Sequence, residues 1–315
     1  MSIYSKILVV ADINHDEQPA LARAMQLAQK STSVSHITFF LSIYDFSYDM
    51  TSMLSLEERD AMRKGVIHQR EQWMRSIAEP YLDKSVQFDI KVVWHNRPYE
   101  AIIGEIFAGE HDILIKATRK HDMLESVIFT PTDWHLMRKC PTPVLLVKNA
   151  DWPENANIIA SVHVGSELDT HIDLNDRMVE QLLNLSKRLG ASPYLVNAYP
   201  VTPANITIEL PEFDPTTYTD AVRGHHLTAM KALRQKHGLS EEQTLVQQGL
   251  PEDVIPEAAK QLNAAMVILG TTGRTGLSAV FIGNTAEHVI DKINCDVLAL
   301  KPNGYVSPLD PQTAI

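Results

Sequence analysis

Apolar residues recur along the chain in short continuous runs, each followed by a stretch with helical spacing. Lys6–Val10 (KILVV), Ile37–Ile43, Phe88–Trp94, Asp112–Ile115 and Val144–Lys148 (VLLVK) have the length and composition of strands. Between them, Pro19–Lys30 and Leu56–Tyr81 carry the spacing of helices, as does the segment opened by Arg97-Pro98. The first, fourth and fifth strands are nearly continuous in Val, Ile, Leu and Ala. That pattern belongs to strands covered on both faces, so it predicts an α/β fold with a parallel sheet between helices.

The same order is then written a second time. Asn157–Val162 (NIIASV), Tyr194–Ala198, Thr244–Gln248, Ala265–Leu269 and Val297–Lys301 (VLALK) repeat the strands, and helical patterns fall at about Asn175–Leu189 and Thr219–His237. After the third strand the halves agree in detail, Leu250-Pro251 with Asp253, Val254 and Ile255 answering Arg97-Pro98 with Glu100, Ala101 and Ile102. A repeat of this length predicts two domains, residues 1–148 and 157–303. The polar, proline-bearing residues 149–156 (NADWPENA) form the linker. The tail after Pro302 is expected to be an extended end without a core role. Two connections stand out. Residues 200–218 carry Pro200, Pro203, Pro211 and Pro215, as a lid, a contact surface or a tolerated insertion. Residues 45–55 hold Phe46, Tyr48, Met50, Met53 and Leu54, enough apolar surface to pack against a neighbour.

Composition narrows the class. Hydrophobic residues make 44% and charged residues 21% of the 315, which excludes a disordered chain. No apolar run approaches the roughly 18 residues of a membrane span. The opening MSIYSKILVV turns quickly into Asp12, Asn14, His15 and Asp16, a first strand and not a signal peptide, so a cytoplasmic protein is expected. Cys140 and Cys295 lie far apart without metal-ligand spacing and are expected to be reduced, partly buried thiols. A net charge of -11 argues against direct nucleic-acid binding, because a polyanion is repelled by such a surface.

Candidate chemistry concentrates between Met266 and Thr285 (MVILGTTGRTGLSAVFIGNT). Gly270, Gly273 and Gly283 stand in the spacing G-x-x-G-(nine residues)-G between a buried strand and a helix start, an arrangement that lets backbone amides reach phosphate oxygens. Arg274 would add positive charge beside them. In the first half, Lys116, Arg119 and Phe129 are expected where the glycines would stand, with Phe129 obstructing backbone approach. Strand 1 ends in Asp12 in the first half and in His163 in the second. Trp94 and His95 close strand 3 and invite a site reading, while core packing explains the tryptophan at least as well. The adjacent pair His225-His226 points about 100° apart on a helix and forms no chelating face; no metal site is assigned. No G-x-S-x-G, H-E-x-x-H or Walker pattern occurs, and no catalytic residue is assigned.

Over essentially its whole length the chain resembles two tandem copies of the universal stress protein domain. The resemblance rests on the glycine spacing and on the repeated element order, with two departures: Asn284 stands where Ser or Thr is usual, and His163 where the family has an aspartate facing adenine and ribose. It implies two five-stranded, parallel, Rossmann-like domains of strand order 3-2-1-4-5, paired through their fifth strands as a pseudo-dimer within one chain that can form a homodimer. It also implies ATP or another adenine nucleotide, with or without Mg²⁺, in the second domain. The phosphates would lie against Gly273, Gly283, Asn284 and Thr285, and the adenine near Val162, His163 and Ala198. The implied role is regulatory or protective in stress, without efficient turnover. Slow ATP hydrolysis or phosphotransfer is the alternative, as is a carrier or sensor of an anionic, partly apolar ligand in the first domain.

Overall fold

The computed structural model describes residues 4–30, 34–47, 55–82, 86–120, 127, 128, 130–148, 152, 153, 155–201, 214–271 and 284–312. The chain divides into two compact units, Met1–Ala150 with Val306–Ile315, and Asp151–Tyr305.

In the first unit the strands are β1 (Lys6–Val10), β2 (His36–Ile43), β3 (Gln87–Trp94), β4 (Ile113–Ala117) and β7 (Val144–Val147), after a short antiparallel pair β5 (Arg119–Lys120) and β6 (Val127–Ile128). The five long strands lie in the order β3-β2-β1-β4-β7, all parallel. Helix α1 (Pro19–Gln29) packs on β1, β4 and β7, α2 (Leu56–Ala78) on β3, and α3 (Pro98–Gly109) on β1, β2 and the helix α4 (Pro131–Lys139). All four residues of β7 are buried, which a sheet achieves only when both faces are covered. Helix starts follow local chemistry. Ser55 and Glu58 form a capping box for α2, and Thr130 and Asp133 one for α4, each satisfying amides that a first helical turn leaves without partners.

The second unit repeats the arrangement with β8 (Asn157–Ser161), β9 (Ser192–Tyr199), β10 (Thr244–Gln248), β11 (Ala264–Gly270) and β12 (Asp296–Leu300), ordered β10-β9-β8-β11-β12 and all parallel. Helix α5 (Asp169–Leu189) packs on β8, β9 and β11; α6 (Pro215–Lys236) on β9 and β10; α7 (Pro251–Gln261) on β9, β11 and α8 (Asn284–Lys292). Each unit therefore has the strand order 3-2-1-4-5. In each, the order reverses between the first and fourth strands, and that reversal is where doubly wound sheets open a crevice at the strand ends.

Three differences from the sequence expectation concern the ends of elements. Helix α5 starts at Asp169, well over one turn before Asn175. The fourth strand of the first unit ends with Ala117 pairing Val147, while in the second Gly270 pairs Leu300. The counterpart of Gly270 is therefore Ala117, one residue beyond Lys116. The tail also has a core role: Ser307 is buried in the first unit, its Oγ donating to the Lys139 carbonyl at 2.6 Å. Cys140 and Cys295 are both buried, and neither is in a disulfide. Among the described residues no helix is long and apolar enough to cross a membrane.

Candidate functional site

The reversal point of the second unit lies between β8 and β11. Their register sets Leu269 beside Ser161, which carries Gly270 alongside Val162 as the two strands end. Val162 continues the sheet past β8, its amide donating to the Val196 carbonyl of β9 at 2.9 Å, so Ala198 lies near the end of the adjacent strand. Val162, His163, Ala198 and Gly270 are thereby brought to one end of the sheet. Asn284 and Thr285 open α8. Gly273, Arg274 and Gly283 lie outside the described residues, as does Phe129 in the first unit.

The backbone that leaves β8 is held by two buried amide side chains. Asn175, on α5, accepts from the His163 amide through Oδ1 at 2.9 Å and donates through Nδ2 to the His163 carbonyl at 3.0 Å. Asn197, in the middle of β9 and 1% exposed, accepts from the Val164 amide through Oδ1 at 3.2 Å. With its oxygen thus engaged, Asn197 turns its Nδ2 donor toward Nδ1 of His226 at 3.0 Å. That nitrogen must then be an acceptor, so His226 is the neutral tautomer protonated on Nε2. Burial first, then His225 and His163, push the His226 imidazole below the usual histidine value, in accord with this geometry. The His226 ring stacks on Tyr199 at 5.5 Å and lies against Gly165, where a Cβ would meet its Cε1 at 2.3 Å. Gly165 is thus fixed by close approach of the ring.

His163 stands at the open end of the strand, accessible to solvent yet hemmed in by protein. That desolvation, and next the neighbouring His171, push its imidazole below the usual value. The His163 and His171 ring centroids are 5.4 Å apart. Ser166 Oγ lies 2.7 Å from His171 Nδ1. Gly270 is explained by packing: a Cβ there would meet Leu174 Cδ2 at 2.6 Å, so its lack of a side chain lets α5 close onto β11. Thr271 then ties the strand end to β12, its amide and hydroxyl both donating to the Leu300 carbonyl, at 2.7 and 3.0 Å.

The first unit holds its corresponding strand end with other residues. Gln18 accepts from the Asp12 amide and donates to the Asp12 carbonyl, both at 2.9 Å. The Asp12 carboxylate accepts from the Asn14 amide at 3.1 Å. Lys116, on β4, forms an ion pair with the fully buried Asp133 at 2.8 Å. Trp94 lies under Arg63, whose guanidinium is 5.6 Å from the ring centroid. His225 and His226 meet edge to face at 5.7 Å. Among the described residues no three His, Cys, Asp or Glu side chains converge as metal ligands do.

Asn175, Asn197, His171 and Ser166 were not singled out from the sequence, and His226 was weighed only as one of an adjacent histidine pair. One signal was available: Asn197 interrupts an otherwise apolar strand (YLVNAY), and a buried amide in such a place must be hydrogen-bonded. The clamp of Asn175 carries no local signal, because its partner lies twelve residues away.

The family described as "Universal stress protein family" matches residues 3–148 and 169–301. The chain is 55% identical to Universal stress protein E of Salmonella typhi over 311 residues, covering 98% of both chains. It is 43% identical to the Universal stress protein E homolog of Haemophilus influenzae, covering 95% of this chain and 98% of that one. Among solved structures, a putative universal stress protein from Pseudomonas aeruginosa UCBPP-PA14 superposes with a TM-score of 0.72 at 27% identity, over 95% of this chain and 94% of that one. Matched in both halves and along nearly its full length, the chain belongs to the universal stress protein family.

Proposed function

We propose that this protein acts in the cytoplasmic stress response by binding ATP or a related adenine nucleotide in its second unit, in a regulatory or protective role without efficient turnover. One observation carries this. The spacing G-x-x-G-(nine residues)-G begins at the last residue of β11, beside β8 at the reversal point, and ends on the residue before α8 begins. A glycine-poor connection would set side chains between the backbone amides and an anion; glycines at these positions would leave the amides at the α8 start to meet phosphate.

The residues at the strand ends fit an adenine nucleotide. His163 presents a neutral imidazole face for a base where Asp12 presents a carboxylate, so no acidic side chain at that position opposes the ligand's charge. The phosphates are assigned to Gly273, Arg274, Gly283, Asn284 and Thr285, and the base to Val162, His163 and Ala198. Mg²⁺ carried with the nucleotide would screen the phosphate charge.

Titration calorimetry with ATP is expected to give one site per chain. Gly273→Val or Gly283→Val should abolish it, whereas Arg119→Ala or Phe129→Ala should leave it nearly intact. Two equal sites, or none, would overturn the proposal.

A further inference from the structure

The base end of the proposed nucleotide site offers hydrogen-bond donors where a carboxylate would offer only acceptors. A carboxylate suits the hydroxyls of a ribose; a basic group at such a position suits a phosphate attached there. At the end of β8 the acceptor is replaced by a pair of imidazoles, His163 and His171, 5.4 Å apart. Neither nitrogen of the His163 ring has a hydrogen-bond partner among the described residues. Ser166 Oγ accepts from the Leu168 amide at 3.4 Å and can therefore donate to His171 Nδ1, leaving the His171 proton on Nε2. Two ring edges with N–H donors, one of them gaining charge on protonation, thus sit beside an anchored backbone.

Resting on the nucleotide reading above, we infer that His163 and His171 form a subsite for a phosphate on the ribose, so that the second unit prefers an adenine nucleotide phosphorylated at the 2′ or 3′ position over one with free hydroxyls. The groups around the pair do not cancel this. From α5 Asn175 holds the His163 backbone, from β9 Asn197 holds the next amide, Val164, and from α6 comes the neutral His226 with His225 behind it. Glu167 and Asp169, on the connection and the first residue of α5, are exposed and make no ion pair with either ring. A phosphate bound beside His163, whose imidazole is pushed below the usual histidine value in the free protein, raises the proton affinity of that ring, and by linkage acid strengthens binding.

The test compares adenosine 2′,5′-bisphosphate and adenosine 3′,5′-bisphosphate with AMP by calorimetry on the full chain. At about pH 6 one bisphosphate is expected to bind roughly tenfold more tightly than AMP, as one or two charge-assisted hydrogen bonds allow. The ratio should shrink at about pH 8, where the His163 imidazole is neutral. His163→Asp and His171→Gln should each bring the ratio toward one, with circular dichroism confirming that both variants fold. Equal affinities at both pH values, with AMP and ATP still bound, would overturn the subsite and leave the nucleotide reading standing. A preference that survives both substitutions would overturn the assignment to these residues. Absence of binding by all the nucleotides, ATP included, would overturn both.

Discussion

Asp12 and His163 occupy the same point of the same fold, and the backbone at each is held in the same way by different means. In the first unit Gln18 reaches back six residues to close both backbone groups of Asp12; in the second Asn175, on the second turn of α5, does so across twelve residues for His163. The end of the fourth strand is tied alike in both, Thr118 donating twice to Val147 O and Thr271 twice to Leu300 O. Once side-chain amides and hydroxyls hold the backbone, the residue at the strand end is relieved of structural duty and its chemistry can diverge. An acid stands in one unit and an imidazole in the other. The copies also differ between those anchors, where Lys116 pairs with Asp133 in the first unit and Leu269 is buried in the second.

That pair gives the largest expected effect. Asp133 is fully buried and also caps α4, its Oδ2 accepting from the Thr130 amide and hydroxyl, both at 2.8 Å. Asp133→Ala strands the mostly buried Lys116 ammonium and removes the cap. The expected loss is about 3 kcal/mol in denaturant unfolding, at the low end for a broken buried pair because Lys116 retains some solvent. The second unit suggests the remedy. Lys116→Leu combined with Asp133→Asn, which restores the apolar side chain of Leu269 and keeps a capping oxygen, should recover most of the loss. Additive losses in the double-mutant cycle would show that the pair does not act as a unit.

The two clamps come next. Gln18→Ala and Asn175→Ala each leave a backbone N–H and C=O without their partner. Water reaches both strand ends, so each should cost about 1 to 2 kcal/mol, toward the lower part of the range for stranded polar groups. Equal losses would show that the clamps are interchangeable devices. Asn175→Ala should also weaken ATP binding because it frees His163, whereas Gln18→Ala should leave binding unchanged. Weakening by both would break the assignment of the site to the second unit.

The fold was legible because it is carried by runs such as VLLVK and VLALK, whose continuous apolar character has one physical reading, and because the runs appear twice in one order. Helix starts at Pro98 and Pro251 were legible for a similar reason: proline at the first helical position loses no hydrogen bond. What could not be read was anything decided by distant pairing. Register alone reveals that Ala117, and not Lys116, answers Gly270. Ser307, in a proline-bearing tail without periodicity, is buried through a bond to Lys139, 168 residues away. Of the candidate site, the glycine spacing and the Asp12 to His163 exchange were visible as residue types. The amides that hold His163 and Val164, and the ring that orients one of them, were not, since an Asn or His in sequence gives no hint of which backbone group it will meet.

The smallest expected effect tests that hidden layer. In the second unit Val164 N–H is held by Asn197 Oδ1, and Asn197 is held in that orientation by a neutral His226. Protonating His226 would set its Nδ1–H against the Asn197 Nδ2 donors, rotate the amide and release Val164. The sign follows from the lowered His226 value: the unfolded chain takes up its proton first as pH falls below about 6.5, so this contribution to stability is full above that pH and is lost on acidification through the folded value. Among the described residues the first unit shows no such link. Gln18 Nε2 donates to the carbonyls of Asp12 and His15, which do not titrate, and the acid-sensitive His135 stacks on Tyr99, making no contact with the clamp. Hydrogen exchange, corrected for its intrinsic pH dependence, should therefore show residues 164–168 losing protection between about pH 6.5 and 5 while residues 13–17 hold theirs. His226→Gln, which offers Asn197 a carbonyl acceptor that cannot titrate, should remove the difference. Loss of protection at both strand ends together would mean that acid acts on the fold as a whole and that the histidine has no special hold on the connection after His163.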